Sequence, residues 1–339
     1  MKPLMTKTPS LARLRVLTEK RRNVKGLIQA IEDGNVLGRH PLSVQVQTAS
    51  ACNGTCHFCP YVESWHKEHP GRMDDALYHR IIDAISRYKL AKFCPYLANE
   101  PLMDGKLFER IEHAISKLDF RLLELATNAS LLDERKLDDL VRILPGVPHE
   151  ISISFHGTDE QSYTSIMGLD YHRALANVLS LLEKAQDHDL NIVIRGAGAP
   201  KLPSERLTTW FSQEEFESFW STQCETHGFA KRPRLDYFPY HDRAGTIRRN
   251  EVNFSEFIHR DLNNFYCLRA DQCVHFLYTG ELILCCMDYH RETRFGDIRE
   301  QGLEEIFSDE PFRQLARRMT GTEESPPDFI CKRCISPGG

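Results

Sequence analysis

The sequence predicts an α/β fold in which a parallel sheet curls into an open barrel. Six short apolar or alternating runs follow one another along the chain, and amphipathic helical patterns separate them. The length of 339 residues allows a large core and indicates about two domains. Strands that alternate with helices form parallel sheets, and right-handed crossovers curl such a sheet into a barrel.

The predicted strands are short segments of apolar or alternating residues. The segments on either side of them contain turn-forming residues or helical patterns. They cover residues 42–47, 93–97, 122–127, 151–155, 191–196 and 234–239. Between the first two strands, Ile81, Ile82 and Ile85 recur at helical spacing. In such barrels the reacting groups gather at the carboxyl ends of the strands.

Three regions follow from these patterns. Residues 1–40 are basic and predict an N-terminal helical extension, residues 41–250 form the barrel, and residues 251–339 form a small cysteine-rich domain. In the last region, Gly280 predicts a hairpin between strands at 274–278 and 282–284.

Composition excludes several classes of function. The net charge is -5 with a pI near 6.3, so the chain lacks the excess of positive charge that favours nucleic-acid binding. No apolar run reaches the roughly 20 residues that span a bilayer, and no signal peptide is evident. We therefore expect a cytoplasmic protein without membrane or nucleic-acid partners. In a reducing compartment, 11 clustered cysteines indicate metal ligation more than disulfides.

Three cysteines lie in a short loop after the first predicted strand. Cys52, Cys56 and Cys59 follow the spacing Cys-x3-Cys-x2-Cys. A structural zinc site is closed by four ligands, whereas three thiolates leave one position open for a reactant. The triplet therefore indicates a reactive metal centre, and a loop zinc site or chance clustering is the alternative.

This triplet resembles the radical S-adenosylmethionine (radical SAM) superfamily, in which an aromatic residue precedes the last cysteine, as Phe58 does here. The resemblance implies a partial (β/α)6 barrel and a [4Fe-4S] cluster whose open iron binds S-adenosylmethionine (SAM). An electron from the cluster then cleaves SAM to a 5'-deoxyadenosyl radical. It also implies an electron donor of the flavodoxin or ferredoxin type.

The resemblance extends to residues at the ends of later strands, which correspond to the family's cofactor contacts. They are Asn99, Glu100, Pro101, Thr127, Asn128, Ser152, Ser154 and Arg195. Ala98-Asn99 replaces the family's Gly-Gly, and asparagine tolerates the left-handed backbone of such a turn. By resemblance a serine reaches the ribose of SAM and Arg195 its carboxylate. The alternatives are that the serine is a hydrogen-bonded hydroxyl of the core and that Arg195 is a solvent-exposed charge.

The C-terminal region resembles the SPASM/twitch extension of radical SAM enzymes, which holds auxiliary iron-sulfur clusters. One auxiliary [4Fe-4S] cluster is expected on Cys267, Cys285, Cys331 and Cys334, with Cys286 or Cys273 as substitutes. Four thiolates also form a closed site, so a structural zinc is the alternative.

The expected reaction is hydrogen-atom abstraction from an unactivated carbon, followed by oxidation or epimerisation. Candidate substrate residues are His156, Asp236, Tyr240 and His241, with a histidine as base. Cys273 and Cys286 are candidate hydrogen-atom donors or buried thiols.

The N-terminal extension is shorter than the peptide-recognition domain of many maturases, which favours a small polar metabolite of the sugar or aminocyclitol type, as in natural-product biosynthesis. A peptide or protein maturase is the alternative. A structural metal-binding or RNA-interacting protein is an alternative of another class.

Overall fold

The computed structural model describes residues 11–198, 211–239, 243–247, 259–263 and 265–334. The strands are β1 (Leu42–Val46), β2 (Lys89–Cys94), β3 (Asp119–Phe120), β4 (Leu123–Thr127), β5 (His149–Ser154), β6 (Ile192–Gly198), β7 (Arg234–Pro239), β8 (Cys273–Phe276), β9 (Glu281–Ile283) and β10 (Arg294–Asp297).

The helices are α1 (Leu11–Glu32), α2 (Trp65–Glu68), α3 (Asp75–Ile85), α4 (Leu107–Lys117), α5 (Glu134–Ile143), α6 (Glu160–Met167), α7 (Tyr171–Asp187), α8 (Gln213–Thr226), α9 (Leu268–Gln272), α10 (Leu303–Ser308) and α11 (Glu310–Thr320). Short 3-10 helices lie at Pro60–Glu63 and Pro101–Met103. None of the helices in the described ranges is long and apolar enough to cross a membrane.

One sheet contains all of these strands. Its order is β10-β9-β8-β1-β2-β4-β5-β6-β7, and β3 pairs with β2 beside this path. The segment from β1 to β7 along this order is parallel throughout. The predicted α/β class with a parallel sheet of six main strands is therefore confirmed.

The second strand begins earlier than the sequence predicted. The apolar pattern placed it at 93–97, whereas β2 starts at Lys89 and ends at Cys94. Lysines at 89 and 92 obscured the apolar pattern, and Lys92 is ion-paired with Glu124 of β4. Pro95 has no N–H for the ladder, which is consistent with the end of the strand there.

The crossover helices are fixed at their starts by side-chain caps. The carboxylates of Asp74, Asp133, Asp159 and Asp170 each accept a hydrogen bond from a backbone N–H in the first turn that follows. Each of these helices buries an apolar face, as α3 does with Ile81, Ile82 and Ile85. The core therefore lies between the helices and the outer face of the sheet.

The C-terminal region continues the barrel sheet. β8 pairs in parallel with β1, and β9 returns antiparallel to β8. Gly280 turns between β8 and β9 with φ of +93°, as the predicted hairpin requires, although β8 is one residue shorter than predicted and both strands begin one residue earlier. On the N-terminal side, α1 packs against α10 and α11. The end of the cysteine-rich region therefore lies close to the start of the barrel.

A buried ion pair ties α4 to the segment that follows β1. Arg110 Nη1 lies 2.7 Å from Asp104 Oδ2, and both side chains are buried. The same guanidinium donates to the carbonyl oxygens of Thr48 and Met73. Removal of Arg110 would leave the Asp104 carboxylate buried without its cationic partner, and a buried pair is costly to break in this way.

We predict that Arg110→Met lowers the free energy of unfolding of the cluster-free protein by about 3–5 kcal/mol, because Asp104 is left buried and unpaired. Adding Asp104→Asn recovers part of this loss, since no carboxylate is then buried. Urea unfolding measures both effects. The exposed pair Arg142–Glu112 is the control, and Arg142→Gln should leave the urea midpoint nearly unchanged because solvent screens this pair. An equal loss in all variants would contradict the role of the buried pair.

Candidate active site

A cavity of about 730 Å³ opens at the carboxyl ends of the barrel strands. Most of the residues predicted from sequence line it. They are Cys52, Cys56, Phe58, Cys59, Asn99, Glu100, Thr127, Asn128, Ser152, Ser154, His156, Arg195, Asp236 and Cys286. Parallel strands end on one rim, which is why residues so far apart in sequence share this cavity.

Two predicted residues lie outside the cavity lining, and two others are not among the described residues. Pro101 is buried at the start of the 3-10 helix after Glu100 and is not part of the lining. Cys273 lies on β8 and is also outside the lining, in contrast to Cys286. Tyr240 and His241 lie outside the described residues.

The backbone at the end of α6 holds the cysteine loop in place. Thr55 N donates to Met167 O at 3.0 Å, and His57 N donates to Ile166 O at 2.7 Å. Gly168 ends this helix with φ of +64°, and a Cβ there would lie 1.8 Å from Thr55 Oγ1. The glycine therefore allows the loop to approach the helix end closely.

The three loop thiols line one cavity. Iron-sulfur clusters are held by cysteine thiolates, so this ligand set fits a [4Fe-4S] cluster with one iron left open. Burial and then the Glu100 carboxylate raise the pKa of Cys52 to about 12, so this thiol needs a metal to lose its proton.

Glu100 presents a buried carboxyl group beside the cysteine loop. Only 3% of the residue is exposed. Oε1 accepts hydrogen bonds from Thr127 Oγ1 at 2.6 Å and Leu102 N at 3.1 Å, and Oε2 accepts from Asn128 N at 2.8 Å. Burial raises the pKa of Glu100 from 4.5 to about 7, although these bonds oppose the shift. A cationic ligand group would restore the ionised form.

Two polar atoms at the cavity lack a hydrogen-bond partner within the described chain. Ser152 Oγ, in a residue that is 1% exposed, and Asn99 Nδ2 are both buried and unpaired. Because an unpaired buried polar group is costly, such atoms at a cavity indicate a polar ligand. The cavity therefore fits a molecule with hydroxyl, amino or carboxylate groups, as SAM has.

His156 is a neutral ring in this site. Burial lowers its pKa to about 3. Ala197 N donates to Nδ1 at 3.0 Å, so the neutral ring carries its hydrogen on Nε2. This arrangement favours a hydrogen-bond donor rather than the base that the sequence predicted.

Alternating charges form a belt around the inside of the barrel. This ion-pair belt consists of Lys92, Glu124, Glu150, Arg195, Arg234 and Asp236, from β2, β4, β5, β6 and β7. Arg195 Nη2 lies 2.7 Å from Glu150 Oε1, and its Nε lies 3.5 Å from Asp236 Oδ2. Arg195 is therefore already paired, which makes it less suited to the cofactor carboxylate than the sequence suggested.

A second, mostly apolar cavity collects the C-terminal cysteines. Cys267, Cys285, Cys331 and Cys334 all line it, together with Arg269. Burial and the neighbouring thiols Cys267 and Cys334 raise the pKa of Cys331. Four cysteine thiolates are a complete ligand set for a [4Fe-4S] cluster, so these thiols fit a second cluster.

Sequence reasoning missed several lining residues, including Tyr96, Met167, Arg243 and Tyr289. Tyr96 lies at the end of the predicted second strand, so its position could have suggested it. Tyr289 lies in a piece of sequence, Met287-Asp288-Tyr289, that resembles the SPASM/twitch extension, but it is 230 positions after Cys59 and nothing local indicates the approach of its hydroxyl to that residue.

The barrel and its cysteine loop define an enzyme that holds a metal cluster at the strand ends. Residues 46–209 match the sequence model of the Radical SAM superfamily, and residues 267–335 match SPASM, an iron-sulfur cluster-binding domain. The chain belongs to the radical SAM superfamily and carries a C-terminal SPASM domain. Its cofactors are [4Fe-4S] clusters and SAM. The comparison with curated proteins found no match.

Solved structures of radical SAM enzymes share this fold. BtrN in complex with AdoMet and 2-DOIA is 16% identical with a TM-score of 0.52, over 88% of this chain and 94% of that one. Streptococcus suis SuiB bound to precursor peptide SuiA is 15% identical with a TM-score of 0.60, over 93% and 74%. The enzyme anSMEcpe with bound AdoMet is 16% identical with a TM-score of 0.54, over 81% and 79%.

We predict that the raised pKa of Glu100 makes the cluster-free protein less stable as pH rises. The folded state holds the proton more tightly, so this contribution is complete below pH 4.5 and is lost through about pH 7. The expected loss is roughly 2–3 kcal/mol over that range. Urea unfolding at several pH values measures it.

In Glu100→Gln the pH dependence of the unfolding free energy that Glu100 causes disappears. Any change in stability from the altered hydrogen bonds remains, but it is the same at every pH. The difference between the two profiles removes the contribution of His66, His156 and His275. Burial lowers the pKa values of these histidines to about 3, and their effect on stability has the opposite sign to that of Glu100. Parallel profiles for the two proteins would show that Glu100 titrates normally.

Proposed function

We propose that this enzyme abstracts a hydrogen atom from a small polar metabolite of the sugar or aminocyclitol type, and that oxidation or epimerisation follows. The observation that carries this proposal is the ion-pair belt beneath the cavity. We place the enzyme in a reducing cytoplasmic compartment, with a flavodoxin- or ferredoxin-type electron donor.

Cys52, Cys56 and Cys59 hold the first cluster in this proposal, and the loop's hydrogen bonds to Met167 and Ile166 fix their positions. When bound, the cluster and SAM together supply a 5'-deoxyadenosyl radical. Phe58 is 3% exposed and packs edge-on against His156, with ring centroids 4.9 Å apart. This apolar wall limits water beside the reactive loop.

SAM is held by polar groups on the rim. The Glu100 carboxylate accepts hydrogen bonds from the ammonium group of SAM. A cation stabilises the ionised form of this carboxylate, which burial otherwise keeps partly protonated. Asn99 Nδ2 and Ser152 Oγ supply unused hydrogen-bonding capacity. Thr127 and Asn128 keep Glu100 in place, and Ser154 lines the same wall.

The cavity beyond these groups suits a small molecule with several hydroxyl or amino groups. Its lining includes Arg195 and Asp236, which belong to a belt of three cationic and three anionic side chains. A belt of balanced charge offers donors and acceptors without favouring one net charge. His156 Nε2 adds a donor, and Asp236 adds acceptors for a hydroxyl group.

The C-terminal cysteines Cys267, Cys285, Cys331 and Cys334 hold one auxiliary cluster in this proposal. When bound, it supplies an acceptor or relay for one electron. Cys286 follows Cys285 directly and lines the large cavity. We therefore take Cys286 as the candidate hydrogen-atom donor, which epimerisation requires and oxidation does not.

Incubation with reductant, SAM and candidate substrates tests the function. Aminocyclitols and amino sugars, deuterated at hydroxyl-bearing carbons, form one panel and short peptides form the other. We expect a panel metabolite to raise 5'-deoxyadenosine above the substrate-free rate and to transfer deuterium to it. If only peptides do so, the enzyme is a maturase and the metabolite proposal is wrong.

We predict that Cys56→Ala removes the first cluster. After anaerobic reconstitution, wild-type protein should carry about eight iron atoms and the variant about four. The variant should form no 5'-deoxyadenosine from SAM. Cys331→Ala should also lose about four iron atoms but still cleave SAM without forming product. Iron analysis and chromatography of the nucleoside measure these effects, and SAM cleavage by Cys56→Ala would refute the assignment.

We predict that Cys286→Ser and Cys273→Ser differ if the reaction is an epimerisation. In deuterated water the wild type and Cys273→Ser should place solvent-derived deuterium in the product, because Cys273 lies outside the cavity lining. Cys286→Ser should not, although it should still cleave SAM. Mass spectrometry of the product measures this incorporation, and iron analysis shows whether Cys286 is instead a cluster ligand. Continued incorporation in Cys286→Ser would exclude it as the donor.

A further inference from the structure

Tyr289 reaches from the C-terminal domain to the first cysteine loop. Its hydroxyl oxygen lies 3.9 Å from Cys59 Sγ, and 8% of the residue is exposed. Its carbonyl oxygen accepts a hydrogen bond from Trp65 N at 3.2 Å, in the segment that follows the loop. Tyr289 is therefore attached to the loop region by both its backbone and its side chain.

The turn that carries Tyr289 is fixed from within. The buried Asp288 carboxylate accepts from Glu292 N at 2.9 Å, and from Thr293 N and Thr293 Oγ1 at 2.7 Å each. Asp288 N in turn donates to Cys285 O at 2.9 Å. Three hydrogen bonds to one buried carboxylate leave the turn little freedom, so the tyrosine ring has a defined position.

The tyrosine ring packs in an apolar cluster, and the His66 ring and the charge of Arg243 lie near it. Tyr289, Tyr61 and Ala98 form a small buried cluster, against which Cys52, Cys59, Val62 and Leu97 pack. In such a low-dielectric environment, a hydrogen bond to a charged sulfur is stronger than it is in water. The hydroxyl of Tyr289 therefore has a suitable acceptor in a Cys59 thiolate.

We propose that Tyr289 is a positioning residue that donates a hydrogen bond to the Cys59 thiolate and thereby raises the reduction potential of the first cluster. The proposal rests on the proposed function, because it takes Cys59 as a ligand of that cluster. Hydrogen bonds to ligand sulfurs and solvent exposure set cluster potentials. Reduction adds negative charge to the cluster, so a donor at the sulfur stabilises the reduced form more than the oxidised form.

This arrangement gives the SPASM domain a part in the chemistry of the barrel. The turn that begins with Cys285 and Cys286 ends at Tyr289, so a candidate ligand of the auxiliary cluster and a donor to the first cluster are four residues apart. Cys286 and Tyr289 both line the large cavity. The C-terminal domain thereby contributes a residue to the first cluster's environment as well as to its own.

Tyr289→Phe tests the proposal, since it keeps the ring and removes only the hydroxyl group. Reconstituted full-length protein is titrated with reductant and followed by electron paramagnetic resonance. The signal that changes on addition of SAM identifies the first cluster and separates it from the auxiliary one. We expect the midpoint potential of this signal to become more negative, with the reduction equilibrium constant about threefold to tenfold smaller. A tenfold change corresponds to about 59 mV for one electron.

Tyr237→Phe is the matched control. Tyr237 also lines the cavity, but its hydroxyl donates to the backbone carbonyl of Phe211 at 2.6 Å. The midpoint potential of the first cluster in Tyr237→Phe should equal that of the wild type. Iron content and thermal unfolding show that both variants are folded and loaded.

An unchanged or more positive midpoint in a fully loaded Tyr289→Phe protein would overturn the proposal while leaving the proposed function intact. An equal negative shift in Tyr237→Phe would also overturn it, because the effect would not depend on contact with Cys59. Wild-type protein without any SAM-sensitive signal would instead overturn the assignment of the first cluster itself. The two failures are therefore distinguishable.

Discussion

Parallel pairing of the six barrel strands is the constraint on which the site depends. Because these strands run in one direction, the loops that follow them all emerge at one rim. The cysteine loop after β1, Glu100 after β2 and His156 after β5 therefore meet around a single cavity. The segment after the β8–β9 hairpin also contributes Cys286 and Tyr289 to the lining of this cavity.

The interior of the barrel is charged, and this shapes what the cavity accepts. Charged groups inside a protein are tolerated when each has partners, and removal of one partner is costly. In the ion-pair belt, Glu150 accepts from Arg195 at 2.7 Å and from Arg234 at 3.0 Å. These pairs fix the positions of the side chains before any ligand arrives. Preorganised polar groups of this kind can bind a polar ligand without a further cost for ordering them.

The two cysteine-bearing regions form one continuous structure. The sheet of the barrel continues through β8 into the C-terminal hairpin, and α1 at the other end of the chain packs on α10 and α11. The two cysteine-lined cavities are consequently joined by the segment from Cys285 to Tyr289. Changes in the SPASM domain can therefore reach the barrel through main-chain contacts such as Trp65 N to Tyr289 O.

The sequence by itself determined the α/β class and the succession of the barrel strands along the chain, because these depend on apolar periodicity, and its cysteine spacing indicated the superfamily by resemblance. It misplaced the start of β2, since Lys89 and Lys92 hide the apolar pattern. Only the tertiary structure separated Cys286, which lines the cavity, from Cys273, which does not. It also showed which ring nitrogen of His156 carries the hydrogen, because the backbone N–H of Ala197 donates to the other one. It placed the hydroxyl of Tyr289 beside Cys59. These features depend on contacts between residues far apart in sequence, which no local pattern encodes.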